Sequence, residues 1–101
     1  MYVPFDRLSG RTVLDATGTI LGRIKAPLLD METWLVDTLR VSPTRAIAGE
    51  LGLLWSWWRR PTVDIKTGLV QAAGDAIILR VSLGELRDAA PASLEAIPAL
   101  H

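Results

Sequence analysis

Short apolar runs separated by turn-forming residues make up the first half of the chain. Arg11-Thr12-Val13-Leu14 is a short β-prone run. Asp15-Ala16-Thr17-Gly18 follows, with an Asx-type start and a glycine free to take positive φ. Thr19 to Leu29 is a second extended run. Within it Gly22 predicts a bulge or bend, and Pro27 an edge position or a nearby irregularity. Asp30-Met31-Glu32-Thr33 is a second turn. Trp34 to Val41 then alternates imperfectly, but its β-branched and aromatic content favours a strand. Three strands joined by two short turns make a meander.

Ser42-Pro43-Thr44 ends that meander. From Arg45 to Trp58 the pattern changes. Leu51, Leu54, Trp55 and Trp58 fall at helical spacing, whereas Gly49 and Gly52 weaken a helix. The stretch reads as a strand–loop insertion or a short irregular helix. After Pro61 the alternation returns in Thr62-Val63-Asp64-Ile65, which puts Val63 and Ile65 on one face. Leu69-Val70-Gln71-Ala72 is short and apolar, and Ala73-Gly74-Asp75 is a tight turn. Ala76 to Val81 is nearly continuous in apolar residues, as expected of a strand buried on both faces. Ser82 and Glu85 have the spacing of a capping box, so a short helix starts there, with Leu83 and Leu86 on its apolar side. Pro91 ends it, and the remaining residues read as a frayed tail or a weak final turn.

Composition narrows this picture to one domain. The chain has 101 residues, half of them hydrophobic, and contains no internal repeat or linker. A mean hydropathy of +0.29 is rich for a monomeric globule of this size, which favours self-association. Lys+Arg and Asp+Glu are both 11. Zero net charge lacks the basic excess of a general nucleic-acid binder and gives little protection against self-association. With no cysteine, disulfides, thiol catalysis and Cys-ligated zinc are excluded, which fits a reducing cytoplasm. Residues 1–7 lack a secretory pattern. The longest apolar stretch, about twelve residues interrupted by Glu50, falls short of the roughly 20 a membrane span needs. The expectation is a cytoplasmic protein whose membrane contact is at most peripheral.

Candidate chemistry adds little. His101 is the only histidine and the last residue, a poor position for a base or ligand. Asp30 and Glu32 are close in sequence, but in a turn both are solvated rather than driven to different pKa values. Serines 9, 42, 56, 82 and 93 have no base partner. Gly18-Thr19-Ile20-Leu21-Gly22 lacks the spacing of a phosphate loop. The reading is a non-enzyme, with no catalytic, cofactor-binding or metal-binding residue.

The remaining signal is the Ile47–Trp58 stretch, which holds three of the four tryptophans and is followed by Arg59-Arg60-Pro61. It is too apolar for a free loop. It completes this chain's own core, joins two copies, docks a different protein, or meets a lipid or nucleic-acid surface. Tryptophan suits interfaces because it buries a large area and keeps one polar handle. The candidate interface residues are Leu51, Leu53, Leu54, Trp55, Trp57, Trp58, Arg59 and Trp34. Two arginines without a wider basic patch make a weak case for RNA and none for DNA.

Several pieces in order match a known pattern. Leu8-Ser9-Gly10-Arg11-x-Val13-x-Asp15-x-x-Gly18-x-x-Leu21-Gly22-x-Ile24 resembles the opening of a PRC-barrel domain, the type found in the photosynthetic reaction-centre H subunit and the ribosome maturation factor. Leu28 to Thr33 resembles the second hairpin, where the family often has Asp-x-x-Thr/Ser-Gly; Trp34 stands where that glycine usually would. Val63-Asp64-Ile65 and Val70 to Leu79, with its Gly74-Asp75 turn, resemble the closing strands. The resemblance covers residues 8–86 and has no counterpart for 45–60. It leaves 1–7 as an N-terminal arm and 87–101 as a C-terminal tail. It implies an all-β fold: a small, strongly bent barrel of about six strands whose last strands close against the first, followed by a short helix. It also implies a non-catalytic adaptor or scaffold that docks partner proteins, in cell division or a membrane-associated assembly; the apolar segment and the zero net charge add the expectation that it works as a homodimer. The alternative on the same barrel is a ribosome- or RNA-associated maturation module.

Overall fold

A computed structural model describes residues 4–53 and 60–89, the side chains of Phe5 and Ala89 excepted. A short helix, α1 (Phe5–Leu8), lies where a plain arm was expected, and β1 (Thr12–Leu14) follows it. β2 (Ile20–Asp30) and β3 (Leu35–Pro43) form a long hairpin. α2 (Arg45–Glu50) comes next, then β4 (Val63–Lys66), a 3-10 turn (Thr67–Leu69), β5 (Val70–Ala73), β6 (Ala76–Leu79) and α3 (Leu83–Ala89). The expected strands are all present, within one or two residues of their predicted ends.

The sheet order is β4-β3-β2-β1-β6-β5. All neighbours are antiparallel except β1 and β6, which run parallel with Val13 beside Ile77. The last strands thus close against the first. Six strands side by side would span about 24 Å at about 4.8 Å per spacing. The link from β4 to β5, the two outermost strands, is only the three-residue 3-10 turn, which reaches at most about 14 Å. The chain can make that step only if the sheet curls, and the result is a half-barrel, all-β fold with a short C-terminal helix.

Bulges produce the bend. Val13 pairs with Gly22 but Leu14 with Ile20, so Leu21 is the extra residue. That shift lets both Leu21 and Ile24 face inward despite their odd spacing. Gly22 lies beside this bulge for a second reason. A Cβ there would sit 2.1 Å from the Ser42 carbonyl oxygen, so only glycine permits the approach of β2 to β3. Pro27 lies beyond the reach of β1, whose pairing stops at Arg23, so its missing N–H breaks no ladder with that strand.

Val13, Leu21, Ile24, Leu39, Val41, Val63, Ile65, Ile77 and Leu79 line the inside of the curl, and Ile47, Leu51 and Leu86 from the helical segments close it. Each such burial contributes roughly 1.5–3 kcal/mol before chain entropy is counted. β6 departs from expectation. Ile77 and Leu79 are buried but Ile78 between them is exposed, so this strand is covered on one face only. Nothing in the described chain covers the outside of the curl at that strand.

Candidate interaction surface

Asp15 fixes the frame on which any surface is presented. It is buried, and its carboxylate takes four hydrogen bonds. Oδ1 accepts from the Thr17 amide (2.9 Å), the Thr17 hydroxyl (2.7 Å) and the Thr19 amide (2.9 Å), while Oδ2 accepts from the Leu83 amide (2.9 Å). Gly18 completes the turn at φ +91. Burial alone would push this carboxyl up, but the Thr17 hydroxyl and then the Thr19, Leu83 and Thr17 amides hold it below its ordinary range. The turn was expected; the tie from Asp15 to the start of α3 was not. It joins residues 68 apart, a contact that only the curled sheet creates. α3 also carries the expected capping box: the Glu85 amide donates to Ser82 Oγ and the Ser82 amide to Glu85 Oε1, both at 3.1 Å.

The first part of the Ile47–Trp58 stretch turns inward. Thr44 caps α2 by accepting from the Ile47 amide at 3.2 Å. Ile47, Ala48 and Leu51 are buried, and Leu53 packs partly buried against the same core. The helix ends in a Schellman arrangement. Leu53 N donates to the Ala48 carbonyl, Gly52 N donates to that of Gly49, and Gly52 takes φ +75. Gly52 therefore stops the helix rather than weakening it. Of the expected interface residues, Leu51 thus lies in the core and Leu53 on its half-buried flank, because the amphipathic face of α2 has the open end of the curl to cover. Leu54, Trp55, Trp57, Trp58 and Arg59 lie outside the described residues. The residues that bracket them, Leu53 after α2 and Arg60 before β4, belong to the end of the sheet where Val41 pairs with Val63.

Trp34 is at the other end. β3 separates it from α2 by nine residues, roughly 25–30 Å of strand, so the structure does not bring Trp34 together with Leu51 and Leu53. Trp34 is 66 % exposed, Met31 66 %, Leu35 64 % and Leu29 38 %, all at the β2–β3 tip. Asp30 and Thr33 organise the turn. The Glu32 amide donates to Asp30 Oδ1 (2.8 Å), the Trp34 amide to the Asp30 carbonyl (2.7 Å), and the Leu35 amide to Thr33 Oγ1 (3.3 Å). Trp34 takes φ +60, the one non-glycine residue with positive φ among those described. That is the conformation a glycine would adopt freely.

A second apolar row crosses the outer face. Ile20, Leu14, Ile78 and Ala72 are successive cross-strand neighbours, with Ile20 and Ile78 exposed. Charged pairs lie elsewhere on the sheet. Arg40 grips Asp64 across β3 and β4 with two hydrogen bonds of 3.0 and 3.3 Å, and that hydrogen bond and charge raise the guanidinium pKa. Lys66 approaches Asp37 at 3.9 Å and donates to Thr38 Oγ1 at 3.3 Å.

Asp30 serves the turn backbone and Glu32 is exposed, so this pair is not enclosed as acid–base chemistry would require. Among the described residues, no three His, Cys, Asp or Glu side chains gather to hold a metal, and no helix is long and apolar enough to cross a membrane. His101 lies outside those residues. A crevice lined by Leu21, Val41, Ile47, Leu51, Val63 and Leu86 among others has an apolar lining and is part of the core packing. No protein-family model matches the chain, and no curated protein matches it.

Proposed function

We propose that the chain is a non-enzymatic interaction adaptor on a PRC-type barrel, cytoplasmic, that self-associates and docks partner proteins. The observation that carries this reading is the set of large apolar side chains held outside a rigid barrel: Met31, Trp34 and Leu35 on a turn fixed by its own hydrogen bonds. A fixed aromatic anchor loses little entropy on binding, and such anchors dominate binding energy at interfaces. The outer row of Ile20, Leu14 and Ile78 supports self-association, since apolar ladders on an open sheet face are a common subunit contact. The left-handed backbone at Trp34 supports the family resemblance, because the pattern has a glycine at that position. The same resemblance points to cell division or a membrane-associated assembly as the setting.

Affinity capture from a native extract tests the adaptor role. Tagged wild-type chain is expected to retain a defined set of proteins, and Trp34→Glu and Trp57→Glu are each expected to lose part of that set. Retention of the same proteins by wild type and both variants would contradict a role for these side chains.

A further inference from the structure

We propose that the β2–β3 tip is a docking knob for a partner protein whose receiving surface is apolar and rimmed by lysine or arginine. The inference rests on the interaction-adaptor reading and specifies the chemistry of the partner.

The centre of the tip is apolar, formed by Met31, Trp34 and Leu35 with Leu29 behind them. Its border is acidic. Asp30 and Glu32 lie within the turn and Asp37 lies on the return strand. Among the described residues, Lys66 is the cation that reaches this border, and it lies 3.9 Å from Asp37. Three carboxylates against one ammonium leave the rim negative in a chain whose total charge is zero. Charge complementarity then selects a basic rim on the partner, and it disfavours two other occupants. A second copy meeting tip to tip would bring six carboxylates together. An anionic lipid surface would be repelled by the same groups.

The backbone at Trp34 gives an independent reason to treat the tip as a binding element. A bulky residue at φ +60 is strained, and an exposed side chain recovers nothing from the core in return. The turn nevertheless holds it there through the Trp34 and Leu35 amides. The indole is therefore presented in one backbone geometry before any partner arrives, which lowers the entropy lost on docking.

The test is a titration of the isotope-labelled full chain followed by amide chemical shifts. The probes are two synthetic amphipathic peptides with the same leucine stripe, one flanked by lysines and one by glutamates. Vesicles of phosphatidylcholine, with and without phosphatidylglycerol, are added separately. The expected result is a set of shifts confined to residues 29–37 with the lysine peptide, at least about tenfold tighter than with the glutamate peptide and weakened by salt. Trp34→Gly relieves the backbone strain, so it should keep the fold, with a thermal midpoint no lower than the wild type's, while losing about tenfold or more in affinity for the lysine peptide. Glu32→Gln with Asp37→Asn should narrow the difference between the peptides. Equal binding of the two peptides, shifts elsewhere, a preference for vesicles, tip shifts that depend on chain concentration alone, or wild-type binding by Trp34→Gly would each overturn the proposal. Light scattering on the same samples separates the two levels. A dimer that fails only at the tip overturns this inference, whereas a monomer that binds neither peptide also overturns the adaptor reading.

Discussion

Trp34 holds a backbone position that glycine would occupy without strain, so the sign of its stability effect is unusual for a tryptophan. Left-handed backbone costs an L-residue about 1–2 kcal/mol, and the exposed indole recovers little of it by packing. Trp34→Gly should raise the unfolding free energy by about 1 kcal/mol once glycine's larger chain entropy is set against the relief. Denaturant melts check this; a loss of stability would mean that the indole packs usefully on its neighbours. Asp15 behaves in the opposite way. Its removal in Asp15→Ala leaves the amides of Thr17, Thr19 and Leu83 without their acceptor and should cost about 3 kcal/mol. Because its folded pKa is lowered, its contribution is complete above the unfolded carboxyl value and is lost as pH falls through the folded one. Stability should therefore drop on acidification below about pH 4, and the drop should be shallower in Asp15→Asn. Equal slopes for the two proteins would contradict the assignment. The turn role of Asp15 was legible because Asp-x-x-Gly is a local pattern. Its bond to Leu83 was not, because that bond depends on how the whole sheet curls.

The elements themselves were largely legible, since each strand carries its own β-branched content and each turn its own Gly, Asp or Pro. α3 was legible down to its capping box, and Ser82→Ala should lower stability by about 1 kcal/mol through the lost Glu85 contact. α2 was less so. Gly49 and Gly52 count against a helix when each is scored alone, yet Gly52 lies just past the last turn, where positive φ is required. Gly52→Ala should cost about 1 kcal/mol or more, and Gly49→Ala, whose added methyl meets nothing, should be neutral or stabilising. Thermal midpoints of the two variants moving together would contradict the assigned helix end. β6 misled for a different reason. A continuous apolar run implies two covered faces only if something lies on the second, and an exposed Ile78 looks the same in sequence as a buried one.

At the scale of the whole molecule, the bulges bend the sheet and one short connection holds it curled. The 3-10 turn from β4 to β5 draws the outermost strands of the sheet together, and the parallel pairing of β1 with β6 closes the order. This arrangement separates two regions along β3. α2 and the residues that bracket the tryptophan-rich segment belong to one end, and the acidic, apolar β2–β3 tip forms the other. The half-barrel thus carries different surfaces at its two ends, the separable contacts that the proposed adaptor role would use. Composition made self-association legible as an expectation, through high hydropathy and zero net charge, but it could not assign residues to core or surface; Leu51 went to the core because α2 covers the open end of the curl. The most direct test of the account is the mass of the purified chain by multi-angle light scattering at micromolar concentration. The account predicts twice the 11.0 kDa chain mass for the wild type and a shift towards the single-chain mass for Trp57→Glu. A wild-type mass of one chain would contradict it.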